Sequence, residues 1–225
     1  MTHSLRSFFW FIAGLWSLMV IAGLVYAQQQ HIPSALAMAI LPALLVEAAL
    51  YVALGFAVVR ESLLRWPKAR LASGLTLSAM LPYLIYTLGS GAFECQKFLL
   101  LLALVATVAF WYVLLPPTRL ADFSLLLLLA MPFLYRIFLD IYPTAPPKLR
   151  MDFLGKWMWI RLGFAVFLLV RQVEGIRFGF IPSRAELMTG LKYYFWFLPF
   201  GVTLGYLLGI VQDGFPVSSW TIPSR

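Results

Sequence analysis

Long apolar runs separated by short polar segments dominate the chain. A membrane-spanning helix needs about 20 predominantly apolar residues. The runs that approach this length are Ser7–Ala27, Ser34–Val59, Leu71–Leu88, Phe98–Leu115, Phe123–Leu139, Leu154–Val170 and Tyr193–Val211. The pattern therefore predicts an all-α, polytopic transmembrane bundle of about seven helices, within a range of roughly six to eight.

Two of these runs are interrupted by residues that fit poorly in a straight apolar helix. Phe123–Leu139 contains Pro132 and Arg136, and Leu154–Val170 contains Arg161. Between the two runs, residues 142–147 carry three prolines and predict a stiff, extended loop. We expect either run to be tilted, short or re-entrant.

The same pattern predicts four regions along the chain. These are a multi-pass membrane region of about six helices at 1–171, an interfacial linker and helix start at 172–192, a last membrane helix at 193–211, and a polar tail at 212–225.

Composition supports a membrane protein and argues against a soluble domain. Hydrophobic residues make up 62% of the chain, charged residues 12%, and the mean hydropathy is +0.88. The net charge of +8 comes from basic residues scattered through short loops, which argues against nucleic acid as a partner. The lipid bilayer is the predicted partner, and the single cysteine, Cys95, excludes an internal disulfide.

The loop charges predict an orientation, because cytoplasmic loops are enriched in Lys and Arg. With a cytoplasmic N-terminus, the inner side receives Arg6, Arg60, Arg65, Lys68, Arg70, Arg119, Arg171, Arg177, Arg184 and Lys192. The outer side receives Lys97, Lys148, Arg150, Lys156 and Arg225. We therefore expect a bacterial inner-membrane type of protein with its N-terminus in the cytoplasm.

Small residues recur at every fourth position in two of the runs, where they would let helices approach closely. The second run carries Ala35, Ala39, Ala43 and then Glu47, and the last run carries Gly201, Gly205 and Gly209. We call these two rows of small residues the alanine seam and the glycine seam. They predict either a helix–helix partner or self-association, or ordinary packing within the bundle.

Glu47 is the candidate polar centre, since an ionisable group in a membrane helix is costly and usually faces protein or water. One hypothesis is a proton or cation site, or a ligand to a polar solute. The other is a structural ion pair with Arg136 or Arg161. Because Arg136 can pair with Asp140 one helical turn later, Arg161 is the better predicted partner.

No catalytic or metal-binding set is assembled by the sequence. The two histidines, His3 and His31, lie near the N-terminus without a paired ligand spacing, and no adjacent glutamates occur. We therefore assign no catalytic residue and no metal ligand, and expect no cofactor within this chain.

The segment Phe178–Gly209 has a more specific pattern. Ser183 and Glu186 form a capping box, which predicts a helix that starts at Arg184. The "Gly-Phe, basic turn, Glu-Leu, Gly-Leu" order resembles the segment preceding the catalytic core in the CPBP family of intramembrane metalloproteases, also called the CAAX-protease and bacteriocin-processing family.

The resemblance implies a helical membrane protease whose core uses paired glutamates and later histidines to hold a divalent metal such as zinc. Those residues do not occur here, so the resemblance implies the N-terminal, non-catalytic part of such a protein, as a fragment or degenerate relative, with the metal only in a downstream core. The alternative function is a stand-alone transporter or sensor, or a helix-binding scaffold, with Glu47 as its polar centre.

Overall fold

The structure is a computed structural model that describes residues 2–143, 150–172 and 184–207. These residues form helices joined by short connections and contain no strand, so the predicted all-α fold is confirmed. In chain order the helices are α1 (Thr2–Gln29), α2 (Ser34–Ala53), α3 (Ala57–Leu64), α4 (Lys68–Gly89), α5 (Cys95–Leu114), α6 (Arg119–Leu134), α7 (Ile137–Ile141), α8 (Asp152–Ala165) and α9 (Arg184–Leu207). A π-helical segment, Val166–Arg171, continues α8.

The chain divides into two compact units, Met1–Phe178 and Gly179–Arg225. Five stretches of the described residues are long and apolar enough to cross a membrane. They are Arg6–Gln29, Ser34–Ala53, Lys68–Gly89, Cys95–Leu114 and Asp152–Arg171, all in the first unit. The protein is therefore a multi-pass integral membrane protein.

The second predicted span ends earlier than expected. Instead of running to Val59, α2 ends at Ala53, and Phe56 takes an extended conformation before α3 begins. The guanidinium of Arg60 donates a 2.8 Å hydrogen bond to the carbonyl of Leu54, which satisfies a carbonyl that lies just past the helix end. The short helix α3 has no buried residue, as suits an interfacial segment.

The fifth predicted span is two helices rather than one. Pro132 has no N–H to donate within α6, and the helix stops shortly afterwards, where Arg136 adopts a left-handed φ of 55°. The 16 residues of α6 are fewer than a full crossing needs. A break is therefore present where the sequence pattern predicted an irregular helix.

Helices α6 and α7 together still cross the bundle. At the start of α6, Asp122 bonds to Tyr112 at the end of α5 and to Arg171. Just beyond α7, Tyr142 packs edge-on against Tyr83, near the opposite end of the bundle. We call these two places the Arg171 end and the Tyr142 end.

The core lies between α2, α4, α5, α7 and α8, with close approaches at small residues. A Cβ placed on Gly89 of α4 would lie 3.1 Å from the Cβ of Ala39 on α2. One placed on Gly155 of α8 would lie 2.5 Å from Cε2 of Tyr142. On the outside of α2, the indole of Trp16 in α1 donates to the carbonyl of Leu45.

The second unit contains α9, which carries Pro199 within the helix. The described part of this helix begins at Arg184, whereas Ser183, the side chain of Glu186 and the predicted tail at 212–225 lie outside the described residues, so the capping box stays a prediction. Gly201 is half-buried and lies near the ring of Phe197.

Candidate functional site

The centre of the first unit holds a fully buried ion pair between Glu47 and Arg161. Nε of Arg161 donates to Oε1 of Glu47 at 2.6 Å, and Nη2 donates to Oε2 at 3.1 Å. The two side chains are 0% and 2% exposed. The predicted choice of Arg161 as the partner of Glu47 agrees with this geometry, a bidentate pairing that satisfies both carboxylate oxygens.

Ser78 of α4 completes the polar centre. Nη1 of Arg161 donates to the Ser78 hydroxyl and Nη2 donates to the Ser78 carbonyl, both at 3.2 Å. The hydroxyl in turn donates to the carbonyl of Leu75 at 2.8 Å. The guanidinium therefore joins three helices, and its charge is solvated by protein groups instead of water.

The local sequence explains how a carboxylate reaches this position. Ala39 and Ala43 precede Glu47 on the same face of α2, and all three residues are buried. Their small side chains allow α4 to approach α2 closely. Ala35, one turn earlier, is exposed, so the predicted alanine seam is mainly an internal packing surface.

Two buried hydroxyl groups lie in the same core without a hydrogen-bond partner among the described residues. They belong to Tyr83 and Tyr142, whose rings meet at right angles with centroids 5.3 Å apart. Nearby, the hydroxyl of Tyr86 donates to the carbonyl of Pro143 at 3.0 Å. An unpaired buried hydroxyl lowers the free energy of unfolding, so the phenol groups contribute to this core through their rings.

The predicted ion pair between Arg136 and Asp140 is absent, and this expectation was wrong. Both side chains are exposed, and no ion pair joins them in the structure. The expectation assumed one continuous helix, but Arg136 is the N-cap of α7 and has left-handed backbone geometry, which removes the helical spacing between the two residues.

A second polar cluster, which the sequence analysis missed, lies at the Arg171 end. Oδ1 of Asp122 accepts hydrogen bonds from the Tyr112 hydroxyl at 2.6 Å and from Nε of Arg171 at 2.9 Å. The hydrogen bond from Arg171, followed by that from Tyr112, holds the pKa of Asp122 below its ordinary value. The sequence did contain two signals for this cluster: Thr118, which caps α6, and an acidic residue in the first turn of that helix.

A third cluster, also missed, surrounds Asp152 at the Tyr142 end. Nζ of Lys156 donates to Oδ2 of Asp152 at 2.6 Å, and Nη2 of Arg150 donates to the same oxygen at 3.2 Å. The sequence offered an acid and a base four residues apart on one helix, which is a common stabilising spacing.

The described residues do not assemble a metal centre. Within them, no group of three His, Cys, Asp or Glu side chains could hold a metal ion. His31 is exposed in the turn after α1, and the side chain of His3 lies outside the description. The described residues therefore offer no ligand set for a metal, and a metal in a downstream core stays a prediction.

The predicted glycine seam lies only partly within the described residues. Gly201 and Gly205 lie within α9, whereas Gly209 lies outside the described residues. The partner of that seam stays a prediction.

The fold and the buried polar centre define a polytopic α-helical integral membrane protein. No family model matches the chain, and neither a curated protein nor a solved structure matches it.

Proposed function

We propose that the first unit is a non-catalytic membrane scaffold whose polar centre is structural. The observation that carries this proposal is the saturation of Glu47: both carboxylate oxygens accept from Arg161 inside a fully buried site. A proton, cation or solute site would have to open this pair before the carboxylate could bind anything. Ser78 adds two further acceptors to Arg161 and favours the closed arrangement.

Reconstitution into vesicles tests the structural role against transport. We compare pH-driven proton flux and the free energy of unfolding for the wild type, Glu47→Gln and Glu61→Gln. Glu61 is an exposed acid on α3, so its substitution is the matched control. We expect Glu47→Gln to lower stability without removing any flux, and Glu61→Gln to change neither. Flux that disappears in Glu47→Gln while stability is kept would overturn the scaffold proposal in favour of a transporter.

We also propose that this scaffold resembles the N-terminal, non-catalytic part of a CPBP-like protein, either as a fragment of a longer chain or as a degenerate relative. The support is the sequence pattern of Phe178–Gly209.

The intact mass of the endogenous protein tests this relationship. We expect a mass well above the 25.5 kDa of this chain, with downstream peptides that contain paired glutamates and histidines. A mass of 25.5 kDa would rule out a metalloprotease core on the same polypeptide.

We further propose a bacterial inner membrane with the N-terminus in the cytoplasm. Basic residues cluster at the Arg171 end, in α3 and at the starts of α4 and α6, which supports this orientation; they are Arg60, Arg65, Lys68, Arg70 and Arg119. Cys95, at the exposed start of α5, would then face the outside.

A membrane-impermeant maleimide applied to intact cells tests the orientation. We expect it to label the native Cys95 and to leave a Cys95→Ser/Ser62→Cys variant unlabelled, because Ser62 is exposed on α3 at the other side. The reverse labelling pattern would invert the proposed topology.

A further inference from the structure

An apolar groove of about 230 Å³ lies between α1, α2 and the start of α8. We call it the α1–α2 groove. Its lining includes Gly23 and Ala27 of α1, Ala37, Leu41 and Leu44 of α2, and Phe153 of α8. At Gly23 the missing side chain lets Leu41 of α2 lie directly against α1, and Ala27 and Ala37 contribute small side chains to the lining.

The lining residues of the groove extend along α2 over a length comparable to one leaflet of a bilayer. They include Ile32, in the turn before α2, and Leu44 within α2. Since an α-helix rises 1.5 Å per residue, Leu44 is about 15 Å along α2 from Ser34. That distance is about half of the 30 Å hydrocarbon core, so the groove can follow a single acyl chain from the interface towards the midplane.

A positively charged cluster lies at the start of α8, next in sequence to the groove residue Phe153. Phe153, which lines the groove, directly follows Asp152. Arg150 and Lys156 both bond to Oδ2 of Asp152, so two cations share one carboxylate and leave a net charge of about +1. Their side chains are 64% and 38% exposed, whereas Asp152 is 4% exposed. The cations are accessible to a headgroup, and the carboxylate is covered by protein.

We propose that the α1–α2 groove binds one acyl chain of an anionic phospholipid whose phosphate contacts Arg150 and Lys156. The groove by itself would accept any acyl chain. The net positive charge beside Phe153 selects an anionic headgroup, because guanidinium and ammonium groups form charge-assisted hydrogen bonds with phosphate oxygens.

Native mass spectrometry tests headgroup selection. The protein is released from nanodiscs that contain equal amounts of phosphatidylglycerol and phosphatidylcholine, and the lipids that stay bound to it are compared. For the wild type we expect about fivefold enrichment of bound phosphatidylglycerol. Arg150→Gln should abolish the enrichment while keeping the shorter Lys156–Asp152 pair, and Arg150→Lys should restore it. Lys97→Gln is the matched control, because it removes a cation from α5 near the same end of the bundle.

A second pair of variants tests the groove. Ala37→Phe should fill it and reduce the retained phosphatidylglycerol to the level of phosphatidylcholine. Met38→Phe should have no effect, since Met38 is 69% exposed on the neighbouring surface. An unchanged thermal unfolding midpoint shows that each variant is folded.

Three results would overturn the proposal. The first is equal retention of the two lipids by the wild type, and the second is enrichment that persists in Arg150→Gln. The third is that Ala37→Phe loses a crosslinked dimer that the wild type forms, while its bound lipid is unchanged. The last result would assign the groove to a second copy of the chain.

Discussion

Gly155 lies directly against the ring of Tyr142: a Cβ on this glycine would come within 2.5 Å of Cε2 and 2.9 Å of Cδ2. The same position would be 2.7 Å from Cδ1 of Phe138. This contact packs α8 against the end of α7. It therefore fixes where the interrupted α6–α7 segment meets the core.

We expect Gly155→Ala to lower the free energy of unfolding by about 1–3 kcal/mol, because two buried rings must move to admit the methyl group. Gly14→Ala is the control, since a Cβ at Gly14 meets nothing within 4 Å. That substitution should be neutral or stabilise by about 0.5–1 kcal/mol. Chemical unfolding in detergent micelles measures both effects, and equal effects at the two glycines would contradict the close packing.

The ion pair between Glu47 and Arg161 predicts unequal effects of its two single substitutions. Glu47→Gln leaves a guanidinium that cannot be neutralised, and we expect a loss of about 3–5 kcal/mol. Arg161→Met leaves a carboxyl that one proton can neutralise, so its loss should be smaller.

The double variant Glu47→Gln/Arg161→Met completes the cycle. It should be more stable than either single variant, because no uncompensated charge remains in the bundle. Losses that simply add in the double variant would show that the two side chains do not interact energetically.

The cluster at the Arg171 end predicts that the stability of the fold depends on the charge of Asp122 only under acidic conditions. The folded-state pKa of Asp122 is lowered by hydrogen bonds from Arg171 and Tyr112, below an unfolded-state value of about 3.9. The stabilisation is therefore complete above the unfolded-state value and disappears as pH falls through the folded-state value.

Unfolding midpoints of the wild type and Asp122→Asn should differ by a constant amount between about pH 7 and pH 5, and converge in stronger acid. Asp140→Asn is the control, because Asp140 is an exposed acid in α7. A difference that shrinks already between pH 7 and pH 5 would contradict the lowered pKa.

The unpartnered hydroxyls of Tyr83 and Tyr142 predict that removing either one is harmless. We expect Tyr83→Phe and Tyr142→Phe to leave the free energy of unfolding unchanged or raise it by about 1 kcal/mol. Tyr86→Phe should instead cost about 1 kcal/mol, because it removes the hydrogen bond to the Pro143 carbonyl. A larger loss at Tyr83 or Tyr142 than at Tyr86 would show that those hydroxyls are bound in the folded protein.

The apolar pattern was sufficient to predict the long helices, because the bilayer sets their length. Four long spans begin and end within a few residues of their predicted bounds. It could not place the end of α2 or the break at Arg136. Those features depend on a hydrogen bond from Arg60 to Leu54 and on a left-handed residue, neither of which alters hydropathy.

The partner of Glu47 could be predicted because few charges lie deep enough in apolar sequence to reach it. Ser78 could not be predicted as the third member, since serines are common in membrane helices and its role depends on how α4 packs against α8. The groove likewise depends on how α8, which is distant in sequence, packs beside the consecutive helices α1 and α2.

The 114 residues that separate Glu47 from Arg161 impose an order on biosynthesis. At roughly 5–20 residues per second, the ribosome needs about 6–23 seconds to make Arg161 after Glu47. During that interval α2 must enter or wait beside the bilayer without its counter-charge. The first helices therefore depend on the insertion machinery, or on a proton carried by the carboxyl, until the last helix of the first unit arrives.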